Sequence, residues 1–304
     1  MATISVGNAV GEGFSLIRRR PGAVALWAVL VLGMLVARFA AYMPLYAARI
    51  AQWSHGGGAG ASAQPDFSTL LPQMLQAQAL GLLLGLVSLF VNTVVVCAIY
   101  RAVLRPEESR FGYLRVGSAE LFLFVFIIAV AIVFVMGALV AAIPIALIGV
   151  LVGHGSAASG VFFGVVVGIG AVVVVIYLAL RLALVGPMMV DDGQFHLGDA
   201  WALTRGKAGS LFLIALLLVV IVLVAEIVAA GTGFALLGAM TGGFSQWQSV
   251  GQTPLTVLSR LAPVLVVEAV AWIVLISCAL PVMSAPWARA YRDLKPADPA
   301  AAFS

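Results

Sequence analysis

The chain has 304 residues, 63% of them apolar and only 9% charged, with a formal net charge of +4. A soluble domain carries roughly a quarter charged residues, so this much apolar surface cannot all hide from water in one core and must face lipid. The small, dispersed charge also excludes nucleic acid as a partner; Arg18, Arg19 and Arg20 form the one tight basic cluster.

In chain order, the first element is a short amphipathic stretch. Val6, Val10, Phe14 and Ile17 recur at helical spacing on one face. The three arginines follow, and then the first apolar run, 22–45. It resembles a signal peptide, but no small-residue cleavage site appears before Arg38, Tyr42 and Pro44, so an uncleaved first span is expected. Further runs occupy 75–100, 119–151, 160–188, 209–239 and 261–286. A spanning helix needs about 20 apolar residues, and hydrocarbon forces the backbone to satisfy its own hydrogen bonds. These continuous runs are too long for barrel strands, which alternate in character over about 10 residues. The fold class predicted is an all-α integral membrane bundle of about six transmembrane helices.

Several runs exceed the roughly 30 Å of hydrocarbon at 1.5 Å per residue, so they must tilt, break or project. Pro144, Pro263 and Pro281 are the expected break points. Cys97 and Cys278 lie inside apolar stretches and read as small buried hydrophobes.

The cations set the orientation. Arg18, Arg19, Arg20, Arg101, Arg105, Arg110, Arg115, Arg181, Arg205, Lys207, Arg289, Arg292 and Lys295 fall on one side, thirteen of the sixteen Lys and Arg residues. Only Arg49 and Arg260 lie in the opposite loops, and Arg38 lies within a span. Positive residues resist translocation, so the cation-rich side, and with it both termini, is expected in the cytoplasm.

An internal repeat accompanies this layout, with approximate units 1–107, 108–190 and 191–296 in a single membrane domain, and a disordered tail at 297–304. Each odd-numbered span follows a polar or amphipathic segment: Val6–Ile17, Ser109–Ser118 and His196–Lys207. Val185-Gly-Pro-Met-Met189 is echoed by Ala279-Leu-Pro-Val-Met283. The implied unit is an interfacial helix followed by a two-span hairpin, giving three hairpins. The interfacial helices would either recognise lipid or a protein partner, or serve as anchoring elbows.

The segment after the fourth span carries a recognisable pattern. Pro187 closes the span, Asp191 follows, and then a short helix holds Ala200, Trp201, Thr204 and Arg205. This resembles the membrane domain found attached to glycerophosphoryl diester phosphodiesterases and in related bacterial multi-pass proteins. The resemblance is close over about 25 residues and loose over the six-span layout. It implies a membrane role involving glycerophospholipid. The catalytic activity of that family belongs to a separate soluble domain, and the chain has no segment to supply one. The same pattern also has an architectural account, with proline at the helix exit, Asp191 and Asp192 meeting water, and Asp199 or Thr204 capping helix ends.

No enzymatic chemistry is legible. His55, His154 and His196 fall in three separate loops, no Cys or His pair has metal-ligand spacing, and no serine sits in a nucleophile elbow. Gly56–Gly60 reads as flexible linker. No cofactor is expected.

The ionisable residues inside spans are Arg38, Glu226 and Glu268. A charge at the bilayer centre costs about 2.5–3.5 kcal/mol on insertion scales, so such residues need a reason. Counting rise from the basic side puts Arg38 and Glu226 at similar depth, roughly 25 Å in, with Glu268 further out. Pairing of Arg38 with either glutamate would reduce that cost. The trio then forms a structural clasp, or sits near enough to the outer surface to reach water, or lines a polar cavity, with Gln76, Gln78 and Asn92 adding little. Gly160, Gly164 and Gly168, and likewise Gly81 and Gly85, recur every four residues. Such faces favour tight helix packing within the chain or homo-oligomerisation.

The reading that follows is a non-enzymatic membrane protein that organises or senses lipid, with a small permease using Arg38, Glu226 and Glu268 as the alternative.

Overall fold

The structure is a computed structural model, described over residues 4–56, 67–153, 157–195, 197–241 and 254–295. Among the described residues every regular element is helical, with no strand. The order is α1 (Val6–Arg19), α2 (Pro21–Gly56), α3 (Phe67–Leu104), a 3₁₀ turn (Arg110–Tyr113), α4 (Ser118–Gly153), α5 (Ala157–Leu182), α6 (Val185–Asp192), α7 (Leu197–Leu203), α8 (Ala208–Thr241) and α9 (Pro254–Leu294).

Among the described residues six helices are long and apolar enough to cross a membrane, in the segments Pro21–Met43, Leu75–Leu104, Arg110–Val140, Gly164–Asp192, Ala208–Leu236 and Ala262–Leu294. They coincide with the six apolar runs, and the chain is accordingly a multi-pass membrane protein. Exposed apolar side chains support the same conclusion: Val133 is 70% and Phe162 72% exposed, surface that water would penalise and lipid tails would cover.

The expected proline breaks do not occur. α4 passes through position 144, and α9 runs 41 residues through Pro263, Pro281 and Pro286. At 1.5 Å per residue α9 is about 60 Å long, so a continuous α9 leaves tilt or projection to take up its excess over the bilayer. A break would expose several backbone groups to hydrocarbon where a proline removes one bond, and continuity costs less. The interruption falls instead at 183–184, between α5 and α6. Residue 183 stands four positions before Pro187, where the proline ring would strike a helical carbonyl. The two echoed proline segments therefore diverge: one opens a new short helix, the other lies inside a continuous one.

Consecutive long helices are neighbours: α2 packs on α3, α4 on α5, and α8 on α9. α9 is the central element and also touches α1, α2, α3 and α6. The tight core lies at the end of the bundle bearing the cations, called here the basic end. Its members include Ala98 and Ile99 of α3, Met189 of α6, Leu211 and Ile214 of α8, and Ala288 of α9, each at most 1% exposed. Cys97 is buried there as well and Cys278 is half-buried, both as free thiols.

α1 is a helix, as its spacing predicts, but it buries a different face. Ala9, Val10, Gly13 and Leu16 are buried, Val6 and Ile17 are half-buried, and Phe14 is 49% exposed. The helix rotates so that its glycine meets α9: a Cβ on Gly13 would fall 2.6 Å from Val282 Cα and 2.9 Å from the Pro281 carbonyl oxygen. Only a residue without a side chain lets the two backbones come so close.

The glycine stripes divide in the same way. A Cβ on Gly81 would strike the Tyr42 hydroxyl, so this glycine does bring α3 against α2. Gly85, Gly164 and Gly168 meet nothing within 4 Å among the described residues, so the tight packing expected through them is not seen there, and the side chain position of Gly160 lies outside the described residues. The 297–304 tail, His154 and His196 lie outside the described residues, as does the side chain of His55.

Candidate functional site

The intramembrane trio is not assembled. Arg38 and Glu226 are exposed on α2 and α8 and, among the described residues, neither makes a hydrogen bond or ion pair. The expected pairing of Arg38 with a glutamate is therefore absent. α9 packs against both α2 and α8, and both charged side chains are on exposed faces of their helices. Glu268 is different. Its Oε1 accepts a hydrogen bond from Trp272 Nε1 at 2.9 Å, while its Oε2 is buried with no partner. The carboxylate fills the space beside Gly233 of α8, where a Cβ would fall 2.5 Å from Oε2.

The polar organisation lies at the basic end. Arg101 of α3 forms a buried ion pair with Glu120 of α4, the two side chains 8% and 0% exposed. Arg101 Nη1 also donates to the Tyr113 carbonyl at 3.1 Å. The other oxygen of Glu120 accepts the backbone N–H of Gly117 at 2.9 Å, an N-terminal cap for α4. The intervening 3₁₀ turn carries Phe111, Gly112 and Tyr113 at positive φ (49°, 63° and 65°). Trp27 of α2 fixes it by donating to the Gly112 carbonyl at 2.8 Å, and the Tyr113 hydroxyl donates to the Pro106 carbonyl at 3.0 Å. The stretch 109–118 is thus a knotted polar turn and not a surface helix.

Asp191, singled out in the sequence, is a hub joining three helices. Its Oδ2 accepts from the Tyr291 hydroxyl of α9 at 2.9 Å and from Nζ of Lys295, the residue just after α9, at 2.5 Å. Its backbone carbonyl accepts from Arg105 at the end of α3. Pro187 is buried beside Gly186, which packs against the Tyr100 ring. Glu12 of α1 completes the layer through Arg289 of α9 at 3.5 Å.

The remaining motif residues form a second cluster. Ala200 and Thr204 are fully buried, Trp201 is partly exposed and the Arg205 side chain is exposed. Arg181, in the last turn of α5, donates to the Thr204 hydroxyl at 3.2 Å and to the Trp201 carbonyl at 3.3 Å. Its guanidinium carbon lies 5.2 Å from the Tyr177 ring centre and 5.0 Å from that of Trp201, within cation–π range of both.

Arg101, Glu120, Trp27, Tyr291 and Glu12 were not legible as site residues. The one local signal was Glu120 three residues after Gly117 at a helix start, a capping spacing. Among the described residues no three His, Cys, Asp or Glu side chains gather as metal ligands. Comparison with protein-family models, with curated proteins and with solved structures finds no match to any of them.

Proposed function

We propose that the chain is a non-enzymatic multi-pass protein of the bacterial inner membrane, with both termini cytoplasmic, that organises or senses membrane lipid. The carrying observation is where the polar chemistry sits. Buried and oriented ionic side chains concentrate at the basic end, at the level where spans meet headgroups, whereas Arg38 and Glu226 stay apart in the apolar layer. On this reading the long helices form three two-span hairpins, α2–α3, α4–α5 and α8–α9. Each follows a polar segment at the headgroup surface, namely α1, the 109–118 turn and α7. The likeness of Pro187, Asp191, Ala200, Trp201, Thr204 and Arg205 to the phosphodiesterase-associated membrane domain supports a link to glycerophospholipid. The open faces at Gly164 and Gly168 support use of that stripe for association with a second copy.

Reconstitution into giant vesicles of mixed anionic and zwitterionic lipid tests the role. Labelled anionic lipid should be enriched around the protein, and a distribution identical to protein-free vesicles would overturn the reading. Reporter fusions at Gly58, Ser156 and Ser245 should read as periplasmic, and fusions after Glu108 and Ser304 as cytoplasmic.

The alternative is a small permease, and the unpartnered oxygen of Glu268 is what favours it. Loss of solute flux from proteoliposomes on Arg38→Gln, Glu226→Gln and Glu268→Gln would establish transport instead.

A further inference from the structure

Several arginines at the basic end are neutralised where they stand. Arg101 meets Glu120, Arg105 and Arg115 meet Glu108, and Arg289 meets Glu12 and Asp293. Arg181 is held as firmly as any of these, yet it meets no carboxylate among the described residues. Nε and Nη2 donate to the Tyr177 hydroxyl at 3.1 and 2.9 Å, and Nη1 donates to the Thr204 hydroxyl and the Trp201 carbonyl. Every acceptor is neutral. The orientation is fixed without an ion pair among the described residues.

The donors left over point to an anion. A guanidinium has five N–H bonds, and four are engaged here, so one on Nη2 remains. The Tyr177 hydroxyl already accepts twice, which leaves its own proton for another acceptor. The indole N–H of Trp201 meets no acceptor among the described residues. The Tyr177 and Trp201 rings stand edge to face with centres 6.3 Å apart, and both are partly exposed. A cation with surplus donors and no ion-paired carboxylate among the described residues is the chemistry of a phosphate site.

Position selects among phosphates. Arg181 ends α5 at the basic end of a membrane segment, and Trp201 and Thr204 stand just before α8 enters the next one. Half-exposed Tyr and Trp gather at headgroup level, where one end of the ring is apolar and the other wet. We propose that Arg181, Tyr177 and Trp201 bind the phosphate of a net-negative phospholipid headgroup, with Thr204 positioning the guanidinium. The site deepens the lipid role proposed above and rests on it.

Purified protein in detergent, mixed with dioleoylphosphatidylglycerol, dioleoylphosphatidylcholine or inorganic phosphate, provides the test, with bound lipid read by native mass spectrometry. Phosphatidylglycerol should be retained in preference to phosphatidylcholine, and inorganic phosphate should compete poorly. Arg181→Gln should weaken phosphatidylglycerol retention about tenfold, the loss of one charge-assisted contact. Tyr177→Phe, which keeps the ring and the arginine, should weaken it by a smaller factor and decides the matter if Arg181→Gln does not fold. Arg19→Gln, at an exposed cation elsewhere, should have no effect. Retention unchanged in both site variants, or equal retention of the two lipids, overturns the site. Full competition by inorganic phosphate overturns the lipid assignment in favour of a soluble anion. If anionic lipid is enriched in vesicles while both variants bind as wild type, the site falls and the lipid role stands. Absent enrichment with intact, Arg181-dependent binding does the reverse.

Discussion

A Cβ on Gly13 would lie 2.6 Å from Val282 Cα, so α1 and α9 touch backbone to backbone. Neither wall of that contact can swing aside. Gly13→Ala should therefore undock α1 or strain α9, at a cost of about 1–3 kcal/mol, seen as a lower melting temperature in detergent and faster proteolysis of the N-terminal segment. Gly233→Ala offers the contrast, because the atoms it meets belong to the flexible end of Glu268. That change should cost less and should break the Trp272–Glu268 hydrogen bond, altering indole fluorescence. Equal melting temperatures for the two variants would contradict this account.

The Arg101–Glu120 pair should be the most sensitive ionic contact in the chain. Removing one partner leaves a buried charge alone, which costs about 3–5 kcal/mol. Arg101→Met and Glu120→Gln should each reduce folded yield sharply. The double change Arg101→Met with Glu120→Leu should recover much of the loss, because no orphan charge remains. A double variant no better than the singles would show that the capping bond to Gly117 matters more than the charge.

Asp191 joins α6 to α9 through two contacts of different kind. Tyr291→Phe removes one hydrogen bond and should cost about 0.5–1.5 kcal/mol. Asp191→Asn also weakens the Lys295 contact and should cost more. Lys295 is half-exposed, so Lys295→Gln alone should change thermal stability little. The order of the three melting temperatures checks the assignment.

Arg38 and Glu226 should behave as lipid-facing liabilities. With no partner among the described residues to lose, Arg38→Leu and Glu226→Leu should leave stability unchanged or raise it, since a charge facing hydrocarbon costs up to about 2.5–3.5 kcal/mol at the bilayer centre and less toward its edge. Reduced abundance in membrane fractions for either variant would reveal a partner in the assembled state.

The helices themselves were legible because hydrocarbon allows few alternatives. The run ending near Leu151 had to be helical, and thirteen clustered cations gave the bundle a distinct basic end. Asp191, Trp201 and Thr204 were legible as a set through their spacing. Their partners were not, because Tyr291 lies 100 residues from Asp191, and Arg181 lies 23 from Thr204 on a different helix. The misreadings share a cause. Arg38 and Glu226 were matched by depth, which rise per residue supplies, when contact also needs the rotation of each helix about its axis.

Sequence by itself determined how many apolar helices form and where the cations gather, since both depend on composition over windows of about 20 residues and the cost of exposing a backbone to lipid. Tertiary structure alone decided which face α1 buries, that Arg101 meets Glu120, and that Arg181 is held by neutral acceptors with no ion pair among the described residues. Those outcomes turn on ångström-scale approach between segments far apart in the chain, where a missing side chain at Gly13 or a cap at Gly117 fixes the geometry.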